Sequence, residues 1–143
     1  MTDDLRGLAP QHPVLYALEP DGRSLAFFYA KCPACARLSF PANVPGCAHC
    51  GTSLKGAETI SRPGEGTLLE FVTLHVPLKP GMQTPRIAGD IRLADGWIEE
   101  GVIGVPSEAD LRVGMTLRAV AEPLPDGAHF GCRFVPADGA GAA

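Results

Sequence analysis

Two C-x-x-C turns constrain this chain more than any other feature. Cys32-Pro33-Ala34-Cys35 and Cys47-Ala48-His49-Cys50 are separated by a loop of eleven residues. Each turn brings two sulfurs to one point, and two facing turns supply four, a closed tetrahedral donor set for zinc with Zn–S of about 2.3 Å. The loop is slightly shorter than the usual spacing of about 15–20 residues. Gly51 follows the second turn where a residue tolerant of positive φ is favoured. Ala36 stands at the matching place in the first turn, which predicts a less regular knuckle there. Four thiolates leave no position for water or substrate, so the spacing predicts a structural metal held by Cys32, Cys35, Cys47 and Cys50. Such a metal contributes folding energy to the segment around it. His49, inside the second turn, reads as a solvated surface residue. Rubredoxin-type iron sites also use paired C-x-x-C turns, and the spacing leaves both metals open.

The rest of the composition narrows the class. The 143 residues suit one compact unit or two very small ones. The formal net charge is −4, without the basic face expected of a nucleic-acid binder. Seventeen glycines and fourteen prolines favour short strands and turns over long helices. No apolar run is long enough to span a bilayer. The acidic start Met1-Thr2-Asp3-Asp4 lacks the basic and apolar regions of a signal peptide. Five cysteines with two C-x-x-C pairs fit a reducing compartment better than a disulfide framework. The expectation is a soluble, cytoplasmic protein.

Along the chain, residues 1–30 read as an N-terminal arm ending in a hairpin. Residues 14–18 and 24–29 flank the turn Pro20-Asp21-Gly22. The second arm, apolar from Leu25 to Tyr29, needs a cover, either the protein's own interior or a partner's surface. Residues 31–56 form the ribbon, with Pro41 and Pro45 keeping the span between the knuckles extended. Residues 56–66 are polar and turn-rich and mark a domain boundary. Residues 64–136 read as five short strands, 67–76, 86–93, 97–105, 115–122 and 129–135. Leu68-Leu69-Glu70-Phe71 breaks the alternation of the first and predicts either a bulge or a strand buried on both faces. The second has the cleanest period of two, with Ile87, Gly89, Ile91 and Leu93 on one face. Asp95-Gly96 is a favoured hairpin turn. Residues 106–114 predict a short helix capped by Ser107 and ended by Gly114. The tail, 137–143, is expected to be disordered. The fold class is therefore mainly β: a rubredoxin-like zinc ribbon followed by a five-stranded OB-fold barrel with one short helix.

Few side chains outside the knuckles suggest chemistry. Cys132 shares a strand face with Phe130 and Phe134, which predicts a core thiol without a base to activate it. His12, His75 and His129 are scattered. Glu99 and Glu100 are adjacent in a strand and point to opposite faces. The loop 77–85 is the longest in the barrel, and Lys79 and Arg86 could meet a phosphate there. No catalytic residue is assigned from these patterns, and no cofactor-binding residue either.

The order of these motifs carries a resemblance. The two-knuckle ribbon, the Gly64-Glu65-Gly66 lead-in to an apolar strand, and Pro106-Ser107-Glu108-Ala109-Asp110-Leu111-Arg112-Val113-Gly114-Met115 before the fourth strand resemble the acyl-CoA-associated zinc-ribbon and OB-fold family, long known only as domain of unknown function thirty-five. The resemblance covers roughly residues 31–136. It implies an accessory, non-catalytic subunit that supports assembly and CoA-ester binding in a thiolase-like acyl-CoA complex. A thiolase-fold partner would hold the catalytic cysteine and histidine. It further implies, as one reaction of such a complex, thiolytic cleavage of an aromatic acyl-CoA such as benzoylsuccinyl-CoA. The four cysteines would be the zinc ligands, with no membrane or nucleic acid involved. A different reading of the same barrel is a binder of single-stranded nucleic acid, since OB-folds and ribbons both serve that use.

Overall fold

The protein is described from a computed structural model, which covers Leu5 and residues 7–137. The expected disordered tail lies outside the described residues from position 138 onward.

The chain opens with β1 (Ala9–Pro10) and then forms the hairpin β2 (Tyr16–Leu18) and β3 (Leu25–Lys31). Asp21 builds the turn: one carboxylate oxygen accepts from the Arg23 and Ser24 amides at 2.9 and 2.8 Å, the other from the Ser24 hydroxyl at 2.6 Å. Gly22 supplies the positive φ of 75°. The predicted hairpin is thus present, with a first arm that starts two residues later. Leu25, Phe27 and Tyr29 are buried in alternation along β3. Their cover is the chain itself: Phe27 stacks on Phe40 at 5.5 Å and meets Phe134 edge-on at 6.1 Å, and Tyr29 packs on Phe40 at 5.3 Å. The run is core, and the partner-surface reading of it falls.

β3 is the hub of this first sheet. β4 (Leu38–Ser39) pairs with its end through Ala30↔Ser39. β5 (Glu58–Pro63) pairs with its other edge over six residues, from Ala26↔Pro63 to Lys31↔Glu58. Most of residues 56–66, expected to be turns, are therefore strand. Both faces of β5 are solvated except at half-buried Ile60, so no alternation of apolar and polar residues marks it. The span after β4, expected to be extended, turns at once, with the Val44 amide donating to the Pro41 carbonyl at 3.3 Å. The φ that proline fixes suits a turn as well as an extended segment.

Gly64 is the crossing point into the second sheet. Its amide donates to Leu25 O at 2.8 Å, and its carbonyl accepts from the Ala119 amide at 2.6 Å. A Cβ there would meet Phe27 and Ala119 at 2.9 Å, so the Gly-x-Gly lead-in reflects close approach of two sheets. The barrel consists of β6 (Glu65–Leu74), β7 (Arg86–Arg92), β8 (Ile98–Ile103), β9 (Thr116–Pro123) and β10 (His129–Pro136). The order is β6-β7-β8-β10-β9, and β9 pairs back onto β6. All pairs are antiparallel except β8 with β10. This is the closed five-stranded Greek key of an OB-fold, and closure removes its free edges.

The register shifts between Leu68 and Glu70, so of the two readings of the broken alternation the bulge holds. Asp95 and Gly96 both have positive φ, 55° and 83°, as the tight turn between β7 and β8 requires. The helix expected at 106–114 is a single 3₁₀ turn, Glu108–Asp110, with the Ser107 hydroxyl accepting from the Ala109 amide at 3.1 Å. It stops early because Leu111 turns extended and buries its side chain in the core. One apolar cluster runs through both sheets, from Tyr16, Leu25 and Phe27 to Leu68, Leu117 and Phe134. A second, much smaller one holds Ala30, Cys32, Cys47 and Leu54.

Candidate metal centre and ribbon–barrel junction

The two C-x-x-C turns hang from the end of β3, beyond the large core. Both are built alike. The Ala36 amide donates to Cys32 O at 2.9 Å, and the Gly51 amide to Cys47 O at 2.8 Å. Ala36 takes φ 66° and Gly51 φ 80°. The first knuckle is thus as regular as the second, contrary to expectation, and an alanine bears the left-handed backbone that glycine adopts freely.

Cys32, Cys35, Cys47 and Cys50 place their sulfurs within 4.8 Å of one another. Cys32 Sγ lies 3.5 Å from Cys50 Sγ, and Cys35 Sγ lies 3.7 Å from Cys47 Sγ. Four sulfurs at zinc-bond length from a common centre stand about 3.8 Å apart, by tetrahedral geometry. The donor set therefore fits zinc. Backbone amides point at the sulfurs as they do at thiolates: Ala34 and Cys35 donate to Cys32 Sγ at 3.4 Å, and His49 to Cys47 Sγ at 3.3 Å. The Thr52 hydroxyl lies 3.2 Å from Cys50 Sγ, and it pulls that thiol down to about 6. With four sulfurs around the centre, no coordination position is left for a substrate.

His49 departs from its expected role. Its ring is half-buried, with Nε2 3.1 Å from the Leu38 carbonyl oxygen. That oxygen also accepts from Trp97 Nε1 at 3.0 Å, while the Leu38 amide donates to Asp95 Oδ2 at 2.6 Å. The β7–β8 turn of the barrel thus grips the backbone of β4 from both sides, and the second knuckle adds a third contact. Sequence reasoning identified Asp95 only as a turn residue and assigned Trp97 no contact. The one signal for a further role is the indole itself, a donor that seeks a partner when buried.

The other candidates stay apart. Cys132 is half-buried between fully buried Phe130 and Phe134. Burial pushes its thiol up to about 12, with the carboxylates of Glu122 and Glu99 adding to it, so it stays protonated and unreactive. Glu99 is half-buried and pushed up by burial, whereas Glu100 is exposed. His129 sits 2.7 Å from Asp126, and His75 follows the end of β6. The loop 77–85 borders an open cavity of about 1010 Å³ that Lys79, Arg86 and His75 share with Glu108 and Glu122.

Fold and site together define a rubredoxin-like zinc ribbon joined to an OB barrel. Residues 21–54 match the ChsH2 rubredoxin-like zinc ribbon domain, and residues 60–122 match the ChsH2 C-terminal OB-fold domain. The two matches cover about two-thirds of the chain. The chain belongs to this zinc-ribbon and OB-fold family, domain of unknown function thirty-five. A solved structure described as the Ltp2–ChsH2(DUF35) aldolase is similar to it, with a TM-score of 0.61 and 24% identity over 78% of this chain and 84% of that one. At that identity the likeness speaks for the fold. No curated protein sequence matches the chain significantly. Among the described residues, no helix is long and apolar enough to cross a membrane.

Proposed function

We propose that this chain is an accessory, non-catalytic subunit of an acyl-CoA-processing complex, in which Cys32, Cys35, Cys47 and Cys50 hold a structural zinc. One observation carries the reading. The most distinctive centre in the chain is closed by four sulfurs, so it braces the fold and takes no substrate. The likeness to a chain found in an aldolase assembly supports a subunit role. When bound, zinc supplies cross-linking of the two knuckles. The chain's own part is to orient the sulfurs through backbone amides and to fasten the ribbon to the barrel through Leu38.

The finer form of the proposal names a thiolase-fold catalytic partner and a CoA ester as ligand. Lys79 and Arg86, on the rim of the open cavity, offer charge for its phosphates. Thiolytic cleavage of an aromatic acyl-CoA such as benzoylsuccinyl-CoA is the reaction proposed for that complex, in the cytoplasm. The rival reading, a single-strand binder, needs a basic groove with stacking aromatics. The outer face of β7 and β8 carries Asp90 and Glu100 instead.

The test is affinity capture of the tagged full chain from its native host, with metal analysis and identification of what co-purifies. A thiolase-fold protein and about one zinc per chain, the load of a single four-thiolate site, is the expected result. A chain that comes alone, or with nucleic acid, overturns the reading.

A further inference from the structure

The outer face of β6, β7 and β8 is ordered in rows. Strand pairing puts Val72, Ala88 and Val102 in register, one from each strand. The next row, two residues along, is Glu70, Asp90 and Glu100. Rows of this kind lie about 6.6–6.8 Å apart along the strands, and their members about 4.8 Å apart across them. The apolar row is not covered by the chain. Val72 is 54% exposed, and Leu78, in the loop that follows β6, is 73% exposed. Together with Leu74, Ala88 and Val102 they line one open cleft. Contiguous exposed apolar side chains beside charged ones mark interaction surfaces.

The acidic row says what kind of partner fits. Asp90 stands directly opposite a carboxylate on each side, Glu70 on β6 and Glu100 on β8. Like charges opposite one another in a sheet destabilise it. Among the described residues none of the three has an ion-pair partner. Arg86 lies across the apolar row, opposite Leu74, and Arg92 follows two residues beyond Asp90. The missing cations must come from outside. Residues 1–4, 6 and 138–143 carry three aspartates and one arginine, so the chain's own ends do not complement the row. A second copy turned about the apolar row would offer Arg86 alone against three carboxylates, and each copy carries a net charge of −4. A helix meets the requirement. It advances about 5.4 Å per turn, close to the spacing of the strands. Lying across them, it can set one apolar side chain over each member of one row and one cation over each member of the next. We propose that this face docks an amphipathic helix of a partner protein, its apolar stripe over Val72, Ala88 and Val102 and lysine or arginine along the edge that meets Glu70, Asp90 and Glu100. The proposal deepens the accessory-subunit reading and rests on it for the biological role of the face.

The experiment titrates the full zinc-loaded chain with a synthetic helix of about 18 residues, long enough to be helical in water. It carries leucines on one face, lysines along one edge of that face and glutamines elsewhere. Backbone amide shifts are followed by NMR. Saturable shifts at Val72, Ala88, Asp90 and Val102 are expected, with a Kd on the order of 0.1 mM that weakens as salt is added. The same helix with glutamates in place of its lysines should not bind. Asp90→Asn should raise the Tm of the free chain, by relieving the repulsion, and yet weaken helix binding about 2–5-fold. A purely structural role would not move the two in opposite senses. Glu70→Lys combined with Glu100→Lys, both at exposed positions, should weaken binding about tenfold or more. No native partner is used, so this surface can fail while capture from the host succeeds, and the reverse. The proposal is overturned by shifts that do not saturate or that map elsewhere, by equal binding of the glutamate helix, or by undiminished binding in Asp90→Asn and in the double lysine variant. Concentration-dependent shifts at Val72 and Ala88 without the helix would overturn it in favour of a second copy.

Discussion

The ribbon tip and the barrel are held by different means. In the barrel, Leu68, Ile91 and Leu117 are completely buried or nearly so, and the same apolar cluster extends beneath β3 of the first sheet. The cluster takes in Leu38 and Phe40 and ends short of the metal knuckles. The tip keeps only Ala30, Cys32, Cys47 and Leu54 as buried apolar residues, two of which are cysteines facing the metal centre. A segment of that size cannot offset the entropy of ordering its own backbone by burial alone. The tip must rely on a metal, and the barrel need not.

Removing the metal tests this most severely. Chelation, or Cys47→Ser at a 4%-exposed position, should forfeit on the order of 10 kcal/mol of metal-linked folding energy. The loss should be local. Hydrogen exchange should show amides of residues 32–36 and 44–54 unprotected while those of β7 and β9 keep their protection. Global unfolding on chelation would mean that the two regions are one cooperative unit and would break the comparison.

The converse change is made in the barrel. Leu117 is 0% exposed, and Leu117→Ala should cost about 2–5 kcal/mol through lost burial and the cavity left behind. Thermal unfolding should shift down by many degrees, yet zinc per folded chain should stay the same. A variant that also sheds zinc under native conditions would show that the tip leans on the barrel core more than its contacts suggest.

What was legible in the sequence follows the same division. The metal knuckles rest on four residues at fixed spacing, and β7 on strict alternation, so both could be read directly. The Asp95-Gly96 turn was legible because its geometry demands residues that accept positive φ. β5 was not, because a strand solvated on both faces carries no hydrophobic period, and its pairing with β3 is set by backbone groups that every residue shares. The clamp on Leu38 was hidden for the same reason. Asp95 and Trp97 bind the main chain of residue 38, and main-chain partners leave no trace in side-chain pattern.

The clamp sharpens the comparison, since it ties the two regions together. Asp95→Gly keeps the backbone conformation of φ 55° but removes the acceptor for the Leu38 amide. It should cost about 1 kcal/mol, one lost hydrogen bond partly offset because glycine takes the left-handed backbone more freely. Faster exchange at the Leu38 amide with little change at Leu68 would place the effect at the junction. Equal loosening of both amides would mean that the turn matters to the barrel itself.

The smallest expected effect separates the two knuckles. They share one geometry, but Ala36 takes φ 66° where Gly51 takes φ 80°. A left-handed L-residue costs about 1–2 kcal/mol, and glycine gives back about 0.4–1 kcal/mol through its freer unfolded state. Ala36→Gly should therefore gain about 0.5 kcal/mol, the balance of those terms. In competition with a chelator this is roughly a twofold tighter hold on zinc. Gly51→Ala should lose a similar amount, because nothing lies within 4 Å of the Cβ it would add and only the backbone resists it. If both variants leave metal retention unchanged, the metal itself sets the knuckle backbone, and the burden at Ala36 is absorbed elsewhere in the tip. If they shift it in opposite directions, turn chemistry and metal act together in the one region that has no core of its own.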